Sequence, residues 1–209
     1  MVVPKGYVPP KGHRKKVNEN IANMISEIPG GEFLEIGIGP KVRLDRIEIM
    51  SQSNIQYVGV DFETVCNMHK ETIDNAGINR NHMRFMSNSV GTYLYNLIRL
   101  KRENKKFDLI YLDGHHTLYV DFAAAFACIP LLKAGGRIAF DDVYWTLASK
   151  EESLKKSEFY SDIYDFSLYT KEEREEAHIA IITEEYLVAE YGLKKVEEYC
   201  EPYWTVLQK

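Results

Sequence analysis

The feature that most narrows what this chain can fold into is a repeated alternation of short apolar runs and helix-length segments. The runs are residues 33–38 (FLEIGI), 57–60 (YVGV), 83–86 (MRFM), 107–112 (FDLIYL) and 137–140 (RIAF). Short runs separated in this way indicate buried parallel strands. The segments between them, 39–56, 61–82, 87–106 and 113–136, each exceed the roughly 10–12 residues that a right-handed helical crossover needs. Farther on, residues 193–200 (LKKVEEYC) and 203–208 (YWTVLQ) flank Glu201-Pro202 and read as a terminal antiparallel hairpin. The expectation is therefore an α/β, Rossmann-like, doubly wound sheet of seven mostly parallel strands ending in that hairpin.

Helices frame this pattern. Val17, Ile21, Met24, Ile25 and Ile28 fall at helical spacing before Pro29-Gly30-Gly31 stops the run. Thr170, followed by Lys171, Glu172 and Glu173, reads as an N-cap that opens a helix running toward Tyr191, with Gly192 after it. The stretch 177–183 (AHIAIIT) suits helix or strand equally. Residues 1–16, rich in Pro, Gly and Lys, are expected to be a flexible basic arm, and 17–209 one domain. Within it, the aromatic stretch 146–170 is a candidate lid or acceptor-pocket wall.

Charge excludes some partners. The formal net charge is −5, so the surface is not built to hold nucleic acid through its phosphates. Lys5, Lys11, Arg14, Lys15 and Lys16 outweigh Glu19 in the arm, which reads as a solvated leader on an acidic body. Cys66, Cys128 and Cys200 are too few and too scattered for a disulfide framework or a zinc site. With no signal-like start and no apolar run of membrane length, the expectation is a cytoplasmic protein without a membrane partner. The sequence leaves a homo-oligomer open.

In an open parallel sheet, ligands bind beyond the carboxyl ends of the strands. Those ends are Glu35-Ile-Gly37-Ile-Gly39-Pro40, Asp61-Phe62-Glu63, Ser87-Asn88-Ser89, Asp113-Gly114-His115-His116 and Asp141-Asp142. The Gly37 and Gly39 turn lets backbone approach a ligand, and Asp61 at the second strand end is placed to bind both hydroxyls of a ribose. A dinucleotide fingerprint would have a third glycine where Val42 stands, and Pro40 follows the second glycine directly. A ribose-bearing cofactor without phosphates fits better than a nicotinamide dinucleotide.

Asp113, Asp141 and Asp142 form a second group. Three carboxylates on adjacent strand ends repel one another unless a cation or donor neutralises them. Mg²⁺ takes one or two carboxylates with waters and substrate, and would lower the pKa of an acceptor oxygen. His116 suits removal of a hydroxyl proton, whereas His115 reads as an ordinary polar loop residue.

The ordered set GEFLEIGIG, YVGVD, FDLIYLDGHH and LLKAGGRIAFDDVYW resembles the class I S-adenosylmethionine-dependent methyltransferases. The later motifs resemble the metal-dependent O-methyltransferase branch related to macrocin O-methyltransferase and cephalosporin hydroxylase, of the methyltransferase domain 24 type. The resemblance covers roughly residues 30–146. It implies that Glu35, Gly37 and Gly39 face the methionine end of S-adenosylmethionine. Asp61 and Phe62 would then lie at the ribose, Asn88 and Ser89 near the adenine, and Asp113 beside the cofactor. It also implies catalysis by His116 and Asp113, a metal on Asp113, Asp141 and Asp142, and a hydroxyl of a sugar or other small molecule as acceptor. Two readings stay beside this one: a metal-independent methyltransferase acting on nitrogen or carbon, and a nucleoside-binding protein without a reaction.

Overall fold

The computed structural model describes residues 9–88 and 92–209. Its strands are β1 Glu32–Ile36, β2 Gln56–Phe62, β3 Met83–Asn88, β4 Phe107–Leu112, β5 Leu132–Asp141, β6 Lys194–Lys195 and β7 Trp204–Gln208. They form one sheet in the order β3-β2-β1-β4-β5-β7-β6. The first five strands are parallel, and β7 runs antiparallel between β5 and β6. The chain winds outward from β1 to β3 and then returns to lay β4 against the other side of β1. That reversal leaves a crevice beyond the carboxyl ends of β1 and β4.

The helices are α1 His13–Ser26, α2 Leu44–Gln52, α3 Glu63–Asn75, α4 Leu94–Arg102, α5 Leu118–Cys128, α6 Leu147–Lys155, α7 Lys171–Glu175 and α8 His178–Ala180. Successive strand residues serve opposite faces of the sheet. Phe33, Tyr57, Leu109, Tyr111 and Trp204 pack with Ile21, Met24, Ile47, Met50 and Ile73 of α1, α2 and α3. Leu34, Ile36, Ile110, Leu112 and Phe140 pack with Leu97, Leu100, Ala124, Ala125, Cys128 and Ile179 of α4, α5 and α8. Both faces are dry, which is why the strands read as apolar runs without alternation. Among the described residues, no helix is long and apolar enough to cross a membrane.

Three expectations need correction. Helix α1 begins at His13, inside the stretch expected to be extended, with Gly12 at φ +90° opening it and the His13 amide donating to the Pro10 carbonyl at 3.1 Å. The helix expected from Thr170 to Tyr191 is broken. Thr170 does cap α7, its hydroxyl accepting from the Glu173 amide at 3.2 Å while the Glu173 carboxylate accepts from its amide at 2.7 Å. Yet α7 ends at Glu175, because His178 ties the next turn elsewhere. Its Nδ1 accepts from the Leu118 amide at the start of α5 (3.1 Å), so its Nε2–H donates to the Glu173 carbonyl (2.7 Å). The ambiguous stretch 177–183 is helical, as α8 running into the π-helix Ile181–Val188. Finally, the first arm of the C-terminal hairpin pairs as a strand through Lys194–Lys195, with the Val196 amide donating to the Val206 carbonyl at 2.9 Å, before a 3₁₀ turn at Glu197–Tyr199.

Candidate functional site

The crevice opens into a cavity of about 620 Å³, and the strand ends singled out in the sequence meet there. Glu35, Gly37 and Gly39 reach it from β1, Asp61 and Phe62 from β2, and Asn88 from β3. Asp113 and His116 reach it after β4, Asp141 and Asp142 after β5. Ser89 lies outside the described residues.

On the side of β1 and β2, backbone groups organise the wall. Gly37 adopts φ +79°, and a Cβ there would overlap the Asp113 carbonyl oxygen, so only glycine lets the β1 and β4 loops touch. Asp61 is buried; its Oδ2 accepts from the Gly39 amide at 2.8 Å and its Oδ1 from the Phe62 amide at 2.7 Å. Burial raises its carboxyl pKa despite those two bonds. Each oxygen keeps a lone pair for an incoming hydroxyl. His69 of α3, to which nothing in the sequence pointed, donates to the Gly39 carbonyl at 2.8 Å and fixes the other side of that peptide. Glu35 lines the floor, and both of its oxygens meet protein donors, Arg46 at 2.7 Å and the Tyr57 hydroxyl at 2.7 Å. Arg46 is the second residue the sequence left unmarked, since one base on an amphipathic helix gives no signal of burial.

The β4 and β5 side is built from charge. His116 Nε2 lies 3.2 Å from Asp113 Oδ1, and its Nδ1 is buried with no hydrogen-bond partner among the described residues. Burial disfavours the imidazolium, but the bond to Asp113 and the charges of Asp113, Asp142 and Asp121 outweigh it and push His116 up to about 9. Burial would likewise raise Asp113, yet His116, Arg14 and Tyr111 hold it below its ordinary value. Asp141 is driven well above its ordinary value by burial and by its neighbours Asp113 and Asp142. The Tyr111 hydroxyl stands 3.0 Å from Asp113 Oδ2 and 3.2 Å from Asp141 Oδ2. It has one proton, so a protonated Asp141 donating to Tyr111, which donates to Asp113, satisfies all three groups.

Two non-glycine residues here hold left-handed backbone, His116 at φ +59° and Asp142 at φ +51°. Such strain persists only where the surroundings enforce it. Asp121 of α5, fully buried, does so for His116: its carboxylate accepts the amides of His115 (3.2 Å) and His116. Burial pushes Asp121 up to about 6. A Cβ at Gly114 would run into that carboxylate. An acid inside the apolar run LYVDFAAAFAC was a readable sign of this role.

His115 also lines the cavity, and it is more than an ordinary loop residue. Its ring stacks on Tyr164 at 4.1 Å, its Nε2 lies 3.3 Å from the Ile163 carbonyl, and the Tyr164 hydroxyl donates to its carbonyl at 2.7 Å. These contacts hold the segment after α6 over the cavity, where Phe159, Tyr160, Ile163 and Tyr164 form a wall. Trp145 closes the side nearest His116, ring to ring at 5.3 Å.

Comparison with known proteins identifies the family and the fold. A sequence profile of the family described as O-methyltransferase matches residues 20–181. An O-methyltransferase from Bacillus cereus, solved in complex with SAH, superposes with a TM-score of 0.60 at 16% identity, covering 99% of this chain and 84% of that one. The O-methyltransferase TomG from Streptomyces achromogenes, involved in tomaymycin synthesis and solved with SAM, gives 0.57 at 12% identity, covering 96% and 81%. No curated protein matches the chain by sequence.

Proposed function

Since the chain belongs to the O-methyltransferase family, whose class I fold works with S-adenosylmethionine, we propose that it methylates a hydroxyl of a small acceptor with His116 as proton acceptor. The observation that carries this reading is one cavity holding both halves of the task. On one wall are Gly37, Gly39 and Asp61; on the other is a partly buried His116 with Nε2 on a carboxylate and Nδ1 unpartnered.

The residues fit the cofactor. Asp61 would take the ribose hydroxyls, the Gly37–Gly39 turn the methionine portion, and Phe62 and Asn88 the nucleoside side. When bound, S-adenosylmethionine supplies a methyl group made electrophilic by its sulfonium. Asp113 orients the His116 ring through Nε2, leaving Nδ1 to receive the acceptor's proton. With the cofactor held there, His116 Nδ1 would take the acceptor's proton, and the electron pair freed on oxygen would accept the methyl group as sulfur keeps the pair of the bond it gives up. Trp145 and the wall from Phe159 to Tyr164 exclude water from that exchange.

Magnesium, expected from the three acids, does not find a ligand set. Among the described residues, no three His, Cys, Asp or Glu side chains are placed to hold one ion. The Asp113 oxygens face His116 and Tyr111, and the Asp141 oxygens face Tyr111 and the Asp142 amide.

Calorimetric titration with S-adenosylmethionine tests the reading. The parent protein should bind, and Asp61→Ala should weaken binding by about tenfold, about 1.4 kcal/mol. A parent protein that fails to bind would remove the proposal.

A further inference from the structure

Helix α6 borders the cavity and divides its charges between two faces. Away from the cavity they are paired: Glu151 with Lys155 at 2.5 Å, Glu152 with Lys156 at 2.6 Å, and Glu151 again with Arg174 at 3.5 Å. Lys150, Ser153 and Leu154 fall at the spacing of one helix face, and all three line the cavity. Lys150 is half-buried, yet it forms no ion pair among the described residues. The sequence denies it one within the helix. Three and four residues away stand Thr146, Leu147, Ser153 and Leu154, whereas each glutamate of α6 has a lysine four residues on. The helix is held in this position: the Thr146 hydroxyl accepts from the Ser149 amide at 3.2 Å, and Trp145 and Leu147 are buried in one cluster with Tyr164 and Tyr169.

We propose that Lys150 reads an anionic group, a carboxylate or a phosphate, on the methyl acceptor, and so selects charged hydroxy compounds over neutral ones. The inference rests on the methyltransferase reading of this cavity. A lysine that gives up part of its hydration to a cavity wall without gaining a counter-ion carries a cost, which a ligand bringing the opposite charge offsets. Carboxylates are not scarce, since the chain has 31 acids against 26 bases, but none in the cavity pairs with this ammonium. The position suits the task. Trp145 packs on His116, ring to ring at 5.3 Å, and Lys150 stands in the first turn of the helix that follows. An acceptor whose hydroxyl meets His116 can therefore run past the indole to the ammonium. The three donors of an ammonium on a flexible stem suit an anion whose place differs from one acceptor to the next. The aromatic wall of Tyr160 and Tyr164 takes the apolar remainder.

The test uses the whole chain with S-adenosylmethionine and three pools of small hydroxy compounds. One pool carries a carboxylate, one a phosphate monoester, and the third, as neutral control, the primary amides of the first; methylated products are identified by mass spectrometry. Products should come from a charged pool, and which one names the anion. A neutral counterpart should be poorer by about tenfold or more in kcat/KM. Lys150→Met should raise KM for the charged acceptor by about tenfold with kcat changed less than about threefold, and Lys150→Arg should recover most of that loss. Affinity for S-adenosylhomocysteine should move less than about threefold in both variants, which shows that they are folded around an intact cofactor wall. Amides methylated as well as acids, or a KM unchanged in Lys150→Met, would overturn the role of Lys150. So would a parent that binds S-adenosylmethionine yet methylates neither charged pool. A parent that does not bind S-adenosylmethionine would instead strike the methyltransferase reading, and this inference with it.

Discussion

The two walls of the cavity are held in different ways. The β1–β2 wall is fixed by hydrogen bonds to backbone: Asp61 on the Gly39 amide, His69 on the Gly39 carbonyl, and Glu35 closed off beneath by Arg46 and Tyr57. The β4–β5 wall is fixed by charge and strain: a buried acid at Asp121, a coupled Asp113–Tyr111–Asp141 set, and left-handed backbone at His116 and Asp142. A wall pinned at the Gly39 peptide on both sides suits a ligand that must be held the same way each time. A wall whose acids and imidazole act on one another through charge suits a partner whose charge changes during the reaction.

The sharpest way to break this comparison is His116→Asn. If the walls are separable, methyl transfer in a single turnover should fall by roughly 10²–10⁴-fold, the usual worth of a general base. Affinity for S-adenosylhomocysteine should change less than threefold. Equal losses in both would mean that His116 supports the cofactor wall instead.

pH should part the walls next. His116 is held near 9, so at neutral pH it carries the proton it must shed to act as a base. The sign is that activity rises with pH: kcat/KM should climb roughly tenfold per pH unit well below 9 and level off above it, about fiftyfold in all between pH 7 and 9. Binding of S-adenosylhomocysteine should stay level over that range. A flat rate profile would remove His116 as the base.

Gly37→Ala strikes where the walls touch. A methyl group there needs left-handed backbone at φ +79° and meets the Asp113 carbonyl oxygen. The expected cost is roughly 2 kcal/mol, about 4–8 °C in Tm for a domain of this size. Unchanged melting would show that the loops are not in contact.

What could be read in advance followed the same division. The strands, their parallel order and the meeting of their ends were legible because burial on both faces writes itself into composition, and because a parallel sheet sends its strand ends to one edge. Ten of the singled-out positions, from Glu35 to Asp142, line the cavity for that reason. The supports were not legible. His69 and Arg46 lie on helices whose amphipathic pattern is ordinary, and their work depends on which helix packs beneath which loop. Arg14 was hidden by its neighbours: in a run of bases, nothing marks the one that lines the cavity. The break before His178 was equally invisible, since Thr170, Glu173 and the absence of glycine or proline up to Gly192 all favour one helix. A single tertiary bond to the start of α5 decides otherwise.

The smallest expected effect concerns how the segment after α6 is fastened. His115 is neutral and doubly satisfied: Nε2–H donates to the Ile163 carbonyl, and Nδ1 accepts from the Thr117 hydroxyl at 2.8 Å. Burial, with His116 nearby, lowers it from 6.5 to about 4. For a base depressed on folding, the unfolded chain takes up its proton first as pH falls, so stability is lost from about pH 6.5 down to about 4. Asp121 acts in the opposite sense, since its raised pKa lets the folded state bind a proton first between 3.8 and about 6. The two partly cancel in the parent, and substitution separates them. His115→Phe keeps a ring against Tyr164 but cannot titrate, and it leaves the backbone amides on Asp121 in place. It should be less stable than the parent at pH 7.5, and the gap should narrow by about 2 kcal/mol by pH 4.5, read from urea unfolding at both values. A constant gap would mean that His115 is reached by protons in the folded state, and that the wall it fastens opens readily to water.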